Sequence, residues 1–180
     1  MTAHSATMFD TALGRCGIAW GERGIVAVQL PQPSDAQTRA RISQRYGDIP
    51  ECAPPPDVQH AINGIAALIA GEPVDLTAIR LDLADVSEFQ RGVYEITRTI
   101  APGRTLSYGE IARQLGGVGL AREVGQALGR NPVPIIVPCH RVLAAGGKPG
   151  GFSANGGVVT KLKLLAIEGA IVNYTPSLFD

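Results

Sequence analysis

A chain of 180 residues with 45% apolar content can bury one compact core or two small ones, and no apolar run approaches the roughly 18 residues of a membrane-spanning helix. Three scattered cysteines, Cys16, Cys52 and Cys139, exclude a disulfide-stapled scaffold, and Met1-Thr2-Ala3-His4-Ser5 lacks the charged and apolar regions of a secretion signal, so a reducing cytoplasmic setting is expected. A formal net charge of zero argues against a uniformly basic nucleic-acid binder, but residues 1–90 carry 6 Lys/Arg and 11 Asp/Glu (net −5) while residues 91–180 carry 10 and 5 (net +5), which points the second half at something anionic.

Taken in order, Met8–Ala12, Ile18–Trp20 and Ile25–Leu30 read as strands, with Gly21-Glu22-Arg23-Gly24 as a hairpin turn. Ser34 is placed to cap a short polar helix through Arg45 that ends at Gly47. After Pro54-Pro55-Pro56, Asp57 opens a clearer helix in which Val58, Ala61, Ile62, Ile65, Leu68 and Ile69 recur at helical spacing, until Gly71 and Pro73 stop it. Leu76, Ile79, Leu81 and Leu83 suggest one more strand. Residues 1–84 are thus expected to form a small α/β domain with a structural role, joined to the rest at residues 85–88.

Ser87 followed by Gln90 predicts a capping box for a helix whose Phe89, Val93, Ile96 and Ile100 make one apolar stripe up to Pro102. Ser107 followed by Glu110 repeats the device for a short helix carrying Ile111, Ala112 and Leu115. Gly116-Gly117-Val118-Gly119 then connects to a third helix, Leu120 to Arg130, and the pair forms a helix-turn-helix candidate. Ala121, Gly125 and Gly129 fall four apart on that third helix, a strip almost without side chains, with Arg122 beside it. Two glycines cost about 1–2 kcal/mol of helix propensity, so a close approach must compensate: either another helix packs on the strip, or a nucleic-acid backbone or groove lies against it.

The chain is organised around Asn131-Pro132-Val133-Pro134-Ile135-Ile136-Val137-Pro138-Cys139-His140-Arg141-Val142. Val133–Val137 reads as a short buried strand delivering the thiol to an irregular segment, with Pro138 supplying the turn that Cys139 needs in order to meet His140. An imidazole and cationic groups beside a thiol favour the nucleophilic thiolate; taken alone, a buried structural cysteine accounts for the same residues. Val142-Leu143-Ala144 resumes a strand, and the glycine-rich Ala145–Gly151 segment, which lacks the endings of a phosphate-binding loop, leads into Phe152-Ser153 as a pocket wall. Lys161 to Glu168 is the last helix. Glu168, on a face with Leu164 and Leu165, either reaches water from a frayed end or orients His140 in a Cys-His-Glu relay.

Residues 87–169 closely resemble the O6-alkylguanine-DNA alkyltransferases. The resemblance rests on Phe89-Gln90, Pro102-Gly103-Arg104-Thr105-Leu106-Ser107-Tyr108-Gly109-Glu110-Ile111-Ala112, Ala121-Arg122-Glu123-Val124-Gly125, Asn131-Pro132, Ile135-Ile136-Val137-Pro138-Cys139-His140-Arg141-Val142, Gly150-Gly151-Phe152-Ser153 and Leu164-Leu165-Ala166-Ile167-Glu168-Gly169. Residues 1–84 are similar to the family only in size and layout. The resemblance implies an α/β (α+β) chain: an N-terminal domain with an antiparallel sheet and helices, then a mostly helical domain, residues 85–180, holding a helix-turn-helix and the active-site cysteine. It further implies that Cys139 takes the alkyl group, that His140, a bridging water and Glu168 deprotonate it, and that Asn131 braces the turn. Tyr108 is to donate a proton toward the guanine, and Arg122 to replace the extruded base. Ala121, Gly125 and Gly129 are to lie in the minor groove, while Tyr108, Val142, Phe152 and Ser153 wall the pocket. The implied partner is double-stranded DNA containing O6-alkylguanine, met by a monomer that uses no cofactor and no membrane. Ala154-Asn155-Gly156-Gly157 makes the loop after Ser153 about two residues longer than in some relatives. Some relatives hold a structural zinc; His4, Cys16, Cys52 and His60 lack the tight ligand pairs for one, so no metal is expected. A separate N-terminal phosphotriester sensor is likewise not expected. Two other classes fit parts of the pattern. A thiol hydrolase using Cys139 and His140 leaves Tyr108, Arg122 and the bare strip without a role, and a DNA-binding relative without transfer leaves the thiol without one.

Overall fold

The computed structural model describes residues 5–173. Strands β1 (Ser5–Thr11), β2 (Gly14–Gly21) and β3 (Gly24–Gln29) form an antiparallel sheet in that order, with the two hairpins turning where the sequence places glycine. Gly24 has a φ of +137°, and a Cβ there would stand 2.6 Å from the carbonyl oxygen of Arg80, so both its backbone and its neighbour require glycine. Helix α1 (Asp35–Tyr46), capped by Ser34 and ended by Gly47, covers one face of the sheet, where Ile42 packs with Ala19, Val26 and Ala27. Helix α2 (Pro56–Ile69) brings its six expected apolar residues into the larger core with Ile18, Trp20, Ile25 and Val28.

Helices α3 (Glu88–Arg98) and α4 (Tyr108–Gln114) both open with complete capping boxes, Ser87 with Gln90 and Ser107 with Glu110. Helix α5 (Ala121–Gly129) follows a 3-10 turn at Val118–Leu120 and packs on α4 and α3; the buried Tyr94 hydroxyl of α3 donates to the Ala127 carbonyl at 2.8 Å. Helix α6 (Gly157–Ile167) closes the fold. The apolar core runs without a break from Phe9 and Ile18 to Val124, Val137 and Leu164, so both halves of the chain are held by one hydrophobic contact network. A two-residue parallel pairing joins β4 (Leu106–Ser107) to β5 (Val142–Leu143). It fixes the start of α4, and with it Tyr108, directly against the segment that follows the cysteine.

Two expected strands are not formed, and their residues show why. Leu76–Leu83 holds one turn, at Thr77–Ile79, in otherwise irregular chain: Thr77 N–H donates to Asp75 Oδ1 at 2.8 Å, and the Arg98 guanidinium takes the carbonyls of Leu76, Thr77 and Ile79 in place of a ladder partner. Only Leu81 makes a bridge, to Ile25. Val133–Val137 is also not a strand. Pro132, Pro134 and Pro138 have no N–H to give, Ile135 sits at a φ of +74°, and Val137 N–H folds back onto Val133 O at 2.9 Å. The last helix begins at Gly157 rather than Lys161, since Gly156 in the left-handed region turns the chain one helical turn earlier.

Candidate active site

Cys139 is placed by the prolines around it. Pro138, at φ −79° and ψ 66°, is the centre of an inverse γ-turn closed by Cys139 N–H donating to Val137 O at 2.8 Å, and a 3-10 turn over Cys139–Arg141 follows. Asn131 ties the approach down from both ends of its side chain: Nδ2 donates to Val137 O at 2.8 Å, and Oδ1 accepts from Val133 N–H at 3.0 Å. The turn points the thiol and the imidazole of His140 into different surroundings.

The imidazole goes inward. His140 Nε2 donates to Glu168 Oε1 at 2.9 Å, and both side chains are almost fully excluded from solvent, at 1% and 2%. Arg141 clasps the same carboxylate from the side, through Nε to Oε2 at 3.0 Å and Nη2 to Oε1 at 2.8 Å, and its Nη1 donates to Ile100 O. Burial pushes the Glu168 carboxyl up, but the hydrogen bonds and charges of His140 and Arg141 more than offset this and leave it at about 2. Burial pulls His140 below its ordinary value, against the hydrogen bond it donates to Glu168, which favours the charged form. The imidazole is therefore neutral at pH 7, with its proton on Nε2, since an ionised carboxylate can only accept. Nδ1 is left as the bare base, buried and without a hydrogen-bond partner among the described residues.

The thiol goes outward, to the floor of an open cavity of about 560 Å³. Tyr108, Ala121, Arg122, Gly125, Gly129, Phe152 and Ser153 line this cavity together with Cys139. Burial pushes the Cys139 thiol up; the Asn131 side chain, the Lys161 charge and the backbone N–H groups of the turn pull it part of the way back. Tyr108 is also raised by burial, so its hydroxyl stays protonated and able to donate. The strip on α5 is not consumed by internal packing: a Cβ at Gly129 would meet nothing within 4 Å, and one at Gly125 would only touch the Tyr108 ring at 3.8 Å. At Gly150, with φ +68°, a Cβ would come within 2.9 Å of the Tyr108 hydroxyl, so glycine here lets the loop lie against the tyrosine.

The structure brings together nearly all the residues expected from the sequence. Val142 differs: it is fully buried in β5 and is not part of the cavity lining. The cation beside the thiol is not Arg141, which turns to Glu168, but Lys161, which the sequence reading used only to start a helix. Lys161 is 1% exposed, its Nζ donates to Val142 O at 2.6 Å and Gly151 O at 3.3 Å, and it lies 5.7 Å from the Tyr108 ring centre. Burial lowers it to about 8. The signal was available, because Lys161 shares the buried face of Leu164 and Leu165 at i+3 and i+4, the same anomaly that singled out Glu168. Of the residues weighed as zinc ligands, Cys16 is buried, Cys52 is exposed and His4 lies outside the described residues; among those described, no three His, Cys, Asp or Glu side chains converge.

Because the folded carboxyl of Glu168 lies below its unfolded value near 4.5, it stabilises the fold fully above that value and progressively less as the pH falls toward 2. The wild type is expected to lose about 3 kcal/mol of unfolding free energy between pH 6 and pH 2 from this group. Glu168→Gln should be less stable at pH 7 by about 3–5 kcal/mol, since Arg141 then stays buried without its partner, and should lack that part of the acid dependence. Urea unfolding of both proteins across this range measures it.

Residues 88–170 match the family described as 6-O-methylguanine DNA methyltransferase, DNA binding domain. The methylated-DNA–protein-cysteine methyltransferase of Mycolicibacterium paratuberculosis is 48% identical over 120 residues, which is 67% of this chain and 70% of the relative. That of Methanothermobacter thermautotrophicus is 33% identical over 153 residues, covering 85% of this chain and 78% of the relative. The crystal structure of Mycobacterium tuberculosis OGT in complex with DNA superimposes with a TM-score of 0.73 at 34% identity, covering 92% of each chain. With a thiol on a pocket floor, a buried His-Glu pair behind it and these relatives over most of its length, the chain belongs to the methylated-DNA–protein-cysteine methyltransferase family.

Proposed function

We propose that this protein repairs DNA by direct reversal, moving an alkyl group from O6 of guanine, and from O4 of thymine, in duplex DNA onto the sulfur of Cys139. The observation that carries this reading is the position of Cys139, on the floor of a cavity walled by Tyr108, Phe152 and Ser153, with Arg122 and the bare strip of α5 at its rim. A guanine cannot reach that floor from within a duplex, so the nucleotide is extruded, at a cost of a few kcal/mol that is lower for a damaged pair. Helix α5 docks in the minor groove, Ala121, Gly125 and Gly129 permit the close approach, and Arg122 fills the place that the base leaves. Phosphate contacts from the basic second half supply affinity that does not depend on sequence.

In the resting site the thiol is protonated, because burial opposes its charge. Nδ1 of His140 accepts the thiol proton through a bridging water, and Glu168 stabilises the imidazolium that results. The thiolate attacks the alkyl carbon in line with the C–O bond, whose electron pair goes to guanine; Tyr108 donates its hydroxyl proton toward the ring nitrogen N3 as charge develops, and the proton held by His140 is returned through solvent to the tyrosinate. The products are guanine and a thioether on Cys139. No residue of the site cleaves a thioether, so each molecule reacts once, and the balance needs no cofactor and no second subunit. Residues 85–180 carry the DNA contacts and the chemistry, while residues 1–84 support them. Among the described residues no helix is long and apolar enough to cross a membrane. We place the reaction in the cytoplasm, where Cys16, Cys52 and Cys139 stay as free thiols.

Intact-protein mass after mixing with duplex DNA carrying one O6-methylguanine is expected to rise by about one methyl-for-hydrogen increment on Cys139, to stop at one equivalent, and not to change in Cys139→Ser. A wild type that binds the lesion without any mass change would be a recognition protein instead. Arg122→Ala should slow reaction with a paired lesion by about tenfold or more, while reaction with free O6-benzylguanine, which needs no extrusion, falls much less. Equal losses on the two substrates would remove Arg122 from the extrusion step.

A further inference from the structure

Cys139 lines a second cavity. This one, of about 130 Å³, lies on the other side of the Phe152-Ser153 wall, between the cysteine segment and the first half of the chain. Pro134 and Ala154 contribute to it from the cysteine side, and Arg41, Arg45 and Tyr46 from α1. It contains no carboxylate. The two arginines lie one helical turn apart on the same face of α1 and are exposed.

The pairing of the other arginines in residues 5–84 makes these two unusual. Arg15 pairs with Asp35, Arg23 with Asp82, Arg39 with Glu51 and Arg80 with Asp57. Among the described residues Arg41 and Arg45 have no carboxylate partner; Arg45 engages Tyr46, lying 5.6 Å from its ring centre and interacting with its phenol oxygen. In an acidic half of the chain, two unpaired cations face the cavity that reaches the nucleophile.

The reaction gives this placement a meaning, on the reading that Cys139 is the alkyl acceptor. In-line displacement fixes sulfur, carbon and O6 on one axis, so the remaining substituent of the carbon projects sideways from it. The base fills the first cavity. A methyl group needs no further room, but anything longer must leave the axis into the second cavity, which meets the first at Cys139, Phe152 and Ser153. We propose that this cavity receives the part of an O6 substituent beyond its reacting carbon, and that Arg41 and Arg45 select substituents ending in an anion: O6-carboxyalkylguanines over neutral groups of equal length. The chemistry is otherwise the same. Sulfur bonds to the CH2 group, the C–O bond breaks with its electrons going to guanine, the proton lost by the thiol is balanced by one delivered to the guanine ring nitrogen, and Cys139 ends as an S-carboxyalkyl thioether.

The test compares duplexes carrying O6-(3-carboxypropyl)guanine, its carbamoyl analogue and O6-methylguanine, with rates of adduct formation read by intact mass. The wild type is expected to react with the carboxylate roughly threefold to tenfold faster than with the amide, the range that two partly exposed charge pairs provide, and added salt should reduce the ratio. Arg41→Gln/Arg45→Gln should bring the ratio close to one. A wild-type ratio of one, or a ratio that the double substitution leaves intact, overturns the proposal. Equal slowing of all three substrates by the double substitution also overturns it, because the arginines would then be holding a DNA phosphate. Failure of the wild type on O6-methylguanine itself would instead reject the transfer reading on which the proposal rests.

Discussion

The ionised carboxylate of Glu168, buried at the C-terminal end of α6, is the interaction on which the site depends. A charge in that position is costly unless its lone pairs are used, and here they are: His140 and Arg141 donate to it, and the Gly103 N–H approaches Oε2 at 3.4 Å. These bonds connect three separate parts of the chain, namely the end of α6, the cysteine turn and the Pro102-Gly103 corner after α3. Gly103 is needed at that corner, because its φ is +77° and a Cβ would stand 2.8 Å from the Glu168 carbonyl oxygen. The carboxylate therefore sets the orientation and tautomer of the imidazole, and the same contacts hold the fold around it.

Behind the thiol the protein keeps a base; in front of it, donors. Burial holds Cys139 in the protonated form, the less nucleophilic of its two states. Lys161 lies 5.7 Å from the Tyr108 ring centre, and burial disfavours the charged form of both side chains. Lys161 also ties β5 to the Gly151 segment, so one buried ammonium both fixes the pocket wall and biases the thiol. The floor of the pocket is set by proline geometry instead, with an inverse γ-turn at Pro138 and a braced Asn131 in place of regular structure.

The sequence made helices legible wherever an apolar period coincided with a cap. Ser34, Ser87 and Ser107 each start a helix where expected, and the two capping boxes are complete. The make-up of the candidate site was legible as well, in that Cys139, His140, Asn131, Tyr108, Arg122 and Glu168, chemically conspicuous residues in a specific order, lie around one turn and its cavity. What failed were apolar runs without a cap or a partner. Val133–Val137 is a continuous apolar run, while Ile79, Leu81 and Leu83 alternate; both read as strands, but a strand exists only if another chain segment accepts its hydrogen bonds, and prolines forbid this in the first while Arg98 takes carbonyls in the second. The spacing of Lys161 with Leu164 and Leu165 marks it as a buried cation, but one-dimensional order does not reveal that it ends beside the thiol, that Arg141 turns to Glu168, or that α1 borders the cysteine. Those depend on which residues the shared core brings together.

Nitrogen-15 chemical shifts of the His140 imidazole in the unreacted protein test the central claim most directly. The relay predicts a neutral ring at pH 7 with the proton on Nε2 and a bare Nδ1, lost in Glu168→Gln. An Nδ1–H tautomer, or an imidazolium persisting at neutral pH, would mean that the nitrogen facing away from Glu168 cannot accept the thiol proton, and the relay from Cys139 through His140 would be wrong.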